Sequence, residues 1–268
     1  MAYFNARRYD KAAVSLARAV EQQPQNAAAR RMLALAWMNG NEYARAADLL
    51  RDDPARASNP SLQYAYGLAL VRSDRAQEAQ EIFSRLLAEH PEVPELNVVL
   101  GQAYAAEGDY DTAVTSLRRA VALKPDVADA NAALGVIYLR QGRLSAAADA
   151  LRAELATHPG DLKARYTLAT VLDLDGHSDD ALAELRAIAA ASPTNADAQY
   201  LFGKILLTRG SSTDAVVHLE MAARLSPEDA NIHYQLGLAY QRLGRSELAA
   251  REFETFQRLK DKKRGGRS

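Results

Sequence analysis

The apolar residues of this chain recur at helical spacing, in short segments that turn-forming residues separate. In residues 94–127, one apolar stripe begins at Leu96 and a second begins at Ala113. Gly108, between the stripes, is a residue that readily adopts the left-handed conformation that ends a helix. Pro125 prevents the second helix from continuing. The pattern therefore predicts two antiparallel α-helices joined by a tight turn.

The same helix-ending glycines and prolines recur every 34 residues along the chain. The prolines and the turn glycines form two series with this period: Pro91, Pro125, Pro159, Pro193 and Pro227, and Gly108, Gly142, Gly176, Gly210 and Gly244. In register, a partial repeat, 1–26, precedes full repeats 27–59, 60–93, 94–127, 128–161, 162–195, 196–229 and 230–263. A fixed period of this length is typical of a solenoid of stacked helix pairs.

Three positions of the repeat restrict side-chain size. Position 8 is small in every full repeat: Ala34, Gly67, Gly101, Gly135, Ala169, Gly203 and Gly237. Position 20 is alanine throughout, and position 24 is leucine or phenylalanine. We expect positions 8 and 20 to lie where the two helices of a repeat nearly touch. We expect the side chain at position 24 to fill the gap between stacked repeats.

With small residues at positions 8 and 20, an apolar residue at 24 and proline at 32, the chain resembles the tetratricopeptide repeat (TPR) family over essentially its whole length. The resemblance implies an all-α fold, a right-handed superhelical α-solenoid of antiparallel helix pairs with about fifteen helices. It implies a single solenoid over residues 1–263. It also implies a non-enzymatic scaffold that binds a peptide segment or a partner subunit in a concave groove.

Two segments depart from the repeat. Residues 1–26 hold only a second helix, and Arg7 stands where the pattern has glycine. We interpret this either as a fragment of a longer protein, or a displaced start, or as an uncapped N-terminal edge through which the chain self-associates. Pro54 interrupts the second helix of repeat 27–59, so we expect that helix to end near Arg51 and an irregular loop to follow to Pro60. The loop is either a tolerated defect or a functional hinge.

Composition and charge limit the kinds of partner that this chain is expected to bind. Apolar residues make up 48% of the 268 residues and charged residues 25%, which excludes wholesale disorder. The net charge of -1 gives no overall field for nucleic acid or an anionic membrane, and no apolar run is long enough for a transmembrane segment. We predict protein or peptide partners, no nucleic acid and no membrane span. The sequence shows no signal peptide, and both cytoplasm and periplasm remain open.

The search for chemistry gives no catalytic residue, metal site or cofactor. Cysteine is absent, which excludes disulfides and cysteine–zinc sites. The acidic segment from Asp173 to Asp180 superficially looks like a calcium loop, but Val171 and Leu182 stand where ligands are needed. We interpret that segment as a helix–helix turn. The basic tail, residues 264–268, is predicted to be disordered, and contact with an anionic surface is the alternative role of the segment from Lys260 onward.

The family resemblance places the ligand on the first helices, whose positions 2, 5, 6, 9, 12 and 13 face the concave wall. Carried over, the predicted ligand-binding residues are Tyr166, Tyr200, Tyr234, Lys204, Arg140 and Thr170. Either the tyrosines contact the ligand, or they pack against neighbouring helices and only line the wall. Likewise, Lys204 either anchors a main chain or carboxylate, or it pairs with Asp173 or Asp197. The lysine and asparagine of the family's chaperone-carboxylate clamp are missing from positions 5 and 9.

Three functions remain open at this point. The first is the peptide-binding scaffold described above. The second is the TPR portion of a larger enzyme, such as a protein glycosyltransferase. The third is a bacterial envelope or pilus assembly factor, since 26 arginines against 7 lysines and abundant alanine suggest a GC-rich bacterial genome.

Overall fold

A computed structural model describes Tyr3 and residues 8–265. The described residues form fifteen α-helices and one short 3₁₀ helix, with no β-strand, which confirms the predicted all-α class. The helices are α1 (Tyr9–Gln22), α2 (Ala27–Asn39), α3 (Tyr43–Arg51), α4 (Pro60–Val71), α5 (Ala76–Glu89), α6 (Pro94–Ala106), α7 (Tyr110–Leu123), α8 (Ala130–Arg140), α9 (Leu144–Thr157), α10 (Leu162–Leu174), α11 (Ser178–Ala191), α12 (Ala196–Thr208), α13 (Ser212–Leu225), α14 (Ala230–Arg242) and α15 (Ser246–Gly265).

Each helix packs against its neighbours in sequence. The chain divides into two compact units, residues 1–137 and 138–268. In the first unit, α2 packs on α3, α4 on α5 and α6 on α7, and α1, α3 and α5 also contact the first helices that follow them. In the second unit, α10 with α11, α12 with α13 and α14 with α15 form the same pairs. This alternation is the packing expected of stacked helix pairs.

The small residue at position 8 lets the two helices of a repeat approach closely. In the second unit, a Cβ atom at Gly203 would lie 2.6 Å from Cγ of Leu219 and 3.0 Å from the carbonyl oxygen of Ala215. Gly101 of the first unit faces Leu117 in the same way, at 2.7 Å. The predicted near-touch of the helices is therefore confirmed. The side chain at position 24 also lies over the position-8 glycine of its own repeat, because glycine has no side chain and leaves room there. The sequence analysis, which placed this side chain between stacked repeats, did not predict the contact within the repeat.

The turn glycines adopt the left-handed conformation that the repeat pattern predicts. Their φ angles are 84° at Gly108, 71° at Gly142, 82° at Gly176, 86° at Gly210 and 69° at Gly244. In the repeats that have no glycine at this place, Asp74 takes a φ of 59° and Asn41 one of 63°. Asparagine and aspartate tolerate this region better than other side chains do, so the turn is kept without glycine.

A polar side chain at position 4, which the sequence analysis did not single out, links three segments in each repeat of the second unit. Gln199 donates a hydrogen bond from Nε2 to the carbonyl oxygen of Pro193 at 3.1 Å, and its Oε1 lies 2.7 Å from Nδ1 of His218. The equivalent contacts join Arg165 to Pro159 and Glu184, and His233 to Pro227 and Glu252. Each such residue connects the preceding proline turn, the first helix and the second helix.

The segment around Pro54 is held by an ion pair between the buried Asp53 and the partly exposed Arg31. Helix α3 ends at Arg51, as predicted, and a 3₁₀ helix, Arg56–Ser58, precedes α4. Both carboxylate oxygens of Asp53 accept hydrogen bonds from Arg31, at 2.7 and 3.0 Å, and Asp53 also accepts one from the backbone N–H of Ala55. The hydrogen bond from Arg31 lowers the pKa of Asp53. The loop is thus irregular in its dihedral angles but tied to α2.

The last helix runs beyond the repeat boundary. Asp261 stands where the series has proline, 34 residues after Pro227, so nothing stops the helix and α15 continues to Gly265. Arg264 and Gly265 of the basic tail belong to α15. Residues 266–268 lie outside the described part of the chain, and disorder of the tail stays a prediction. Arg7 lies outside the described part as well. Self-association through the N-terminal edge stays a prediction.

Candidate binding surface

Three first helices of the second unit form one continuous surface. Helix α12 contacts both α10 and α14, and we call the surface of these three helices the first-helix wall. Side-chain caps fix where each helix begins: Asp161 accepts from the N–H of Ala164, Asn195 from Ala198, and Asp229 from Asn231, at 3.0, 3.0 and 2.9 Å. Because the helices begin in register, equivalent repeat positions fall in rows across the wall.

The first of these rows is formed by the tyrosines at position 5. Tyr166 and Tyr200 are half-buried. Burial raises the pKa of Tyr166, and Asp197 raises it further; burial raises the pKa of Tyr200, with an added contribution from Asp229. Both hydroxyls are therefore neutral at physiological pH, and each lies in the field of a carboxylate from the start of the next first helix. The rings present a partly apolar strip with acidic groups beside it.

Tyr234, the third tyrosine of the row, rests on the last helix. Its ring centroid lies 6.1 Å from that of Phe253 and 5.2 Å from that of Phe256, and the residue remains 41% exposed. These ring contacts fit the packing interpretation, and ligand contact by Tyr234 stays a prediction. One face of the ring packs inside the repeat, and the rest is open to a ligand.

Lys204 lies one turn after Tyr200 on α12 and is half-buried. Within the described part of the chain, no ion pair or side-chain hydrogen bond engages its ammonium group, and neither Asp173 nor Asp197 pairs with it. An ammonium group without a protein partner is one that a ligand oxygen can satisfy.

The other two predicted residues have smaller roles in this geometry. The Thr170 hydroxyl donates to the carbonyl oxygen of Tyr166 at 3.0 Å, so its hydrogen is already used within α10 and only its lone pairs face a ligand. Arg140 is exposed at the end of α8 and makes an interaction within the protein. Five of the six predicted residues therefore lie on the first-helix wall, and Arg140 lies on α8.

A second surface, which the sequence analysis missed, lies between α14 and α15. This C-terminal cleft has a volume of about 1030 Å³. Its lining residues are Glu228, Asp229, Ala230, Asn231, Tyr234, Phe256, Leu259, Lys260, Lys262 and Lys263. The missing proline at Asp261 is the sequence signal that could have revealed it, because the lysines reach the cleft only if α15 continues.

The described residues offer no arrangement for metal or membrane chemistry. They contain no group of three or more histidine, cysteine, aspartate or glutamate side chains placed to hold a metal ion. Among the same residues, no helix combines the length and the apolar character that crossing a bilayer requires. In the turn from Asp173 to Asp180, His177 lies 3.2 Å from Asp175, and Asp179 pairs with Arg209.

Comparison with family models identifies the repeat. Tetratricopeptide repeat models match residues 3–69, 64–125, 98–161, 138–205 and 230–263, and a TPR repeat model matches residues 203–244. One of these models alone matches 3–69 and 138–205, about half of the chain. The chain belongs to the tetratricopeptide repeat family. A search of curated proteins found no match.

Solved structures with the same fold include three informative cases. MamA aligns with a TM-score of 0.59 at 22% identity, over 62% of this chain and 97% of MamA. YrrB, described as a TPR protein with an unusual peptide-binding site, aligns with a TM-score of 0.60 at 19% identity, over 66% and 91%. The Cut9–Hcn1 hetero-tetramer of the APC/C aligns with a TM-score of 0.64 at 18% identity, over 96% and 51%. These likenesses confirm the TPR solenoid fold.

Proposed function

We propose that this chain is a non-enzymatic interaction scaffold and that its first-helix wall binds an extended peptide segment of a partner protein. The observation that carries the proposal is the half-buried Lys204, which no carboxylate in the described part of the chain neutralises, one turn from Tyr200. The peptide-binding site named for YrrB is consistent with this function, as is the Cut9–Hcn1 assembly.

The wall offers complementary contacts to an extended main chain. The tyrosine rings supply contact area with few rotatable bonds, so little entropy is lost when they are covered. Lys204 donates to a carbonyl or carboxylate oxygen of the ligand. Asp197 and Asp229, beside the rings, accept hydrogen bonds from N–H groups. Together these groups match alternating acceptors and donors along a peptide.

The experiment starts from a peptide selected on the intact chain from a random 12-residue library. Fluorescence anisotropy then compares its affinity for the unmodified chain, for Lys204→Glu and for Tyr200→Ala. Lys204→Glu is expected to weaken binding by about 2 kcal/mol, the scale of a hot-spot residue, which is roughly 30-fold. Because the Lys204 ammonium makes no ion pair or hydrogen bond in the described part of the chain, thermal unfolding should hardly change.

Arg251→Glu is the matched control, since it makes the same charge reversal on an exposed part of α15 away from the wall. Unchanged affinity is expected for this variant. If Lys204→Glu and Tyr200→Ala bind the selected peptide as tightly as the unmodified chain, the site lies elsewhere. No feature of the described residues favours the larger-enzyme or envelope-assembly alternative over the scaffold.

A further inference from the structure

The C-terminal cleft lies where the first helix of a following repeat would pack. Position 27 of the second helix is covered in preceding repeats by the next first helix: relative exposure is 1% at Leu86, 0% at Ile188 and 0% at Ala222. Phe256 holds this position on α15 and is only half-buried. No first helix follows α15 in the part of the chain that the structure describes. The cleft therefore lies at the repeat position that a packed helix covers in the preceding repeats.

The cleft changes from apolar to cationic toward the end of α15. Phe256 and Leu259 form its apolar floor, and the ammonium of Lys260 lies 5.1 Å from the centre of the Phe256 ring. Lys262 is paired with Glu228 at 2.9 Å. Among the described residues, neither Lys260 nor Lys263 has a carboxylate partner. The cleft lining thus carries three lysines against two carboxylates, Glu228 and Asp229, and the two lysines without an ion pair lie at the end of α15.

The direction of packing within the chain says which end of a bound helix would meet those lysines. A first helix begins just after the turn and runs antiparallel to the second helix before it, so its N-terminus lies beside that helix's C-terminal end. Two of the seven described first helices, α6 and α12, have an acidic residue in the first turn, Glu95 and Asp197, and the other five have none. An acidic first turn also suits the positive end of the helix dipole.

We infer that the C-terminal cleft binds an amphipathic α-helix of a protein partner, antiparallel to α15 and with acidic residues in its first turn. The apolar face of this helix covers Phe256 and Leu259. Its first-turn carboxylates pair with Lys260 and Lys263 where α15 passes beyond the repeat boundary. This surface is distinct from the peptide site proposed above, although Tyr234 and Asp229 border both.

A fluorescent peptide with the sequence of residues 94–127 serves as the probe. It carries Glu95 in its first turn, and circular dichroism of the free probe measures its helicity, because a single helix or repeat of this length is marginal in water. Anisotropy is measured against the full chain at low salt. We expect saturable binding that the Lys260→Glu, Lys263→Glu double variant weakens by about 10-fold or more, as expected for reversal of close charge pairs. Arg251→Glu, on another face of α15, should bind the probe as the unmodified chain does.

A charge swap makes the test specific. A probe carrying Glu95→Lys should bind the unmodified chain more weakly and should regain affinity for the lysine-reversed chain. Equal binding of the probe to both chains, or no saturable binding at about 1 mM, would overturn the inference. So would light scattering that shows a dimer of the chain which the lysine reversal dissociates, because a second copy would then occupy the cleft. Circular dichroism checks that both variants remain folded.

Discussion

Replacing Gly203 with alanine tests the helix contact on which the repeat depends. The new methyl group would lie 2.6 Å from Cγ of Leu219 and 3.0 Å from the carbonyl oxygen of Ala215. Ordinary carbon contacts are about 3.5–4.0 Å. Leu219 is fully buried, so its side chain has no space into which to retreat, and α12 and α13 must move apart.

The expected magnitude is the difference of two effects. Overpacking a close-packed contact costs about 1–3 kcal/mol, and the upper part of that range applies because one neighbour is backbone. Alanine gains about 1 kcal/mol over glycine in a helix interior. The net loss of unfolding free energy should therefore be about 1–2 kcal/mol.

Urea unfolding, followed by far-ultraviolet circular dichroism, measures this loss. Gly160→Ala is the control, since no atom lies within 4 Å of its added Cβ and its φ is not positive. The control should change stability by less than about 1 kcal/mol. In a Leu219→Ala background, Gly203→Ala should lose the part of its cost that comes from Leu219, while the contact with the carbonyl oxygen of Ala215 remains. If Gly203→Ala is as stable as the control, the two helices do not touch at this position.

Three further changes test other parts of the structure. Ala147→Leu, at a fully buried position 20, should cost about 1–3 kcal/mol in urea unfolding, whereas Ala153→Leu on the exposed face of the same helix should be nearly neutral; equal effects would mean that the register is wrong. Burial lowers the pKa of His218, so below about pH 6.5 the unfolded chain binds more protons than the folded one and stability should fall on acidification. His218→Gln should flatten that slope, and an unchanged slope would assign it to other groups. Asp261→Pro should end α15 near Lys260 and reduce both helicity and probe binding in the C-terminal cleft, while a variant with unaltered helicity would contradict the role given to the missing proline.

The repeat could be predicted from the sequence because a solenoid places the same backbone requirements at the same position of every repeat. The turn glycines, the position-8 glycines and the prolines each recur with the period, so the helix pairs and their close contact followed from backbone requirements alone. The break at Pro54 was predictable for the same reason. These features depend on single residues with strong conformational effects.

The contacts that depend on side-chain geometry were not predictable. Position 4 holds glutamine, arginine or histidine in the second unit. Only the structure shows that each of these different side chains contacts the carbonyl oxygen of the proline that precedes its own repeat. The ion-pair state of Lys204 depends on rotamers and on distances between helices, which no spacing rule gives. The C-terminal cleft depends on how far α15 runs past the repeat boundary, and the sequence signal for that, Asp261 in place of proline, lies at a single position.

Hydrogen–deuterium exchange of the intact chain, with and without the library-selected peptide, tests the central claim most directly. If the first-helix wall is the binding surface, the peptide should slow exchange mainly in α10, α12 and α14 and leave α1 to α7 unchanged. Protection centred on α11 and α13, or on the first unit, would contradict the assignment of the site to Tyr166, Tyr200, Lys204 and Tyr234.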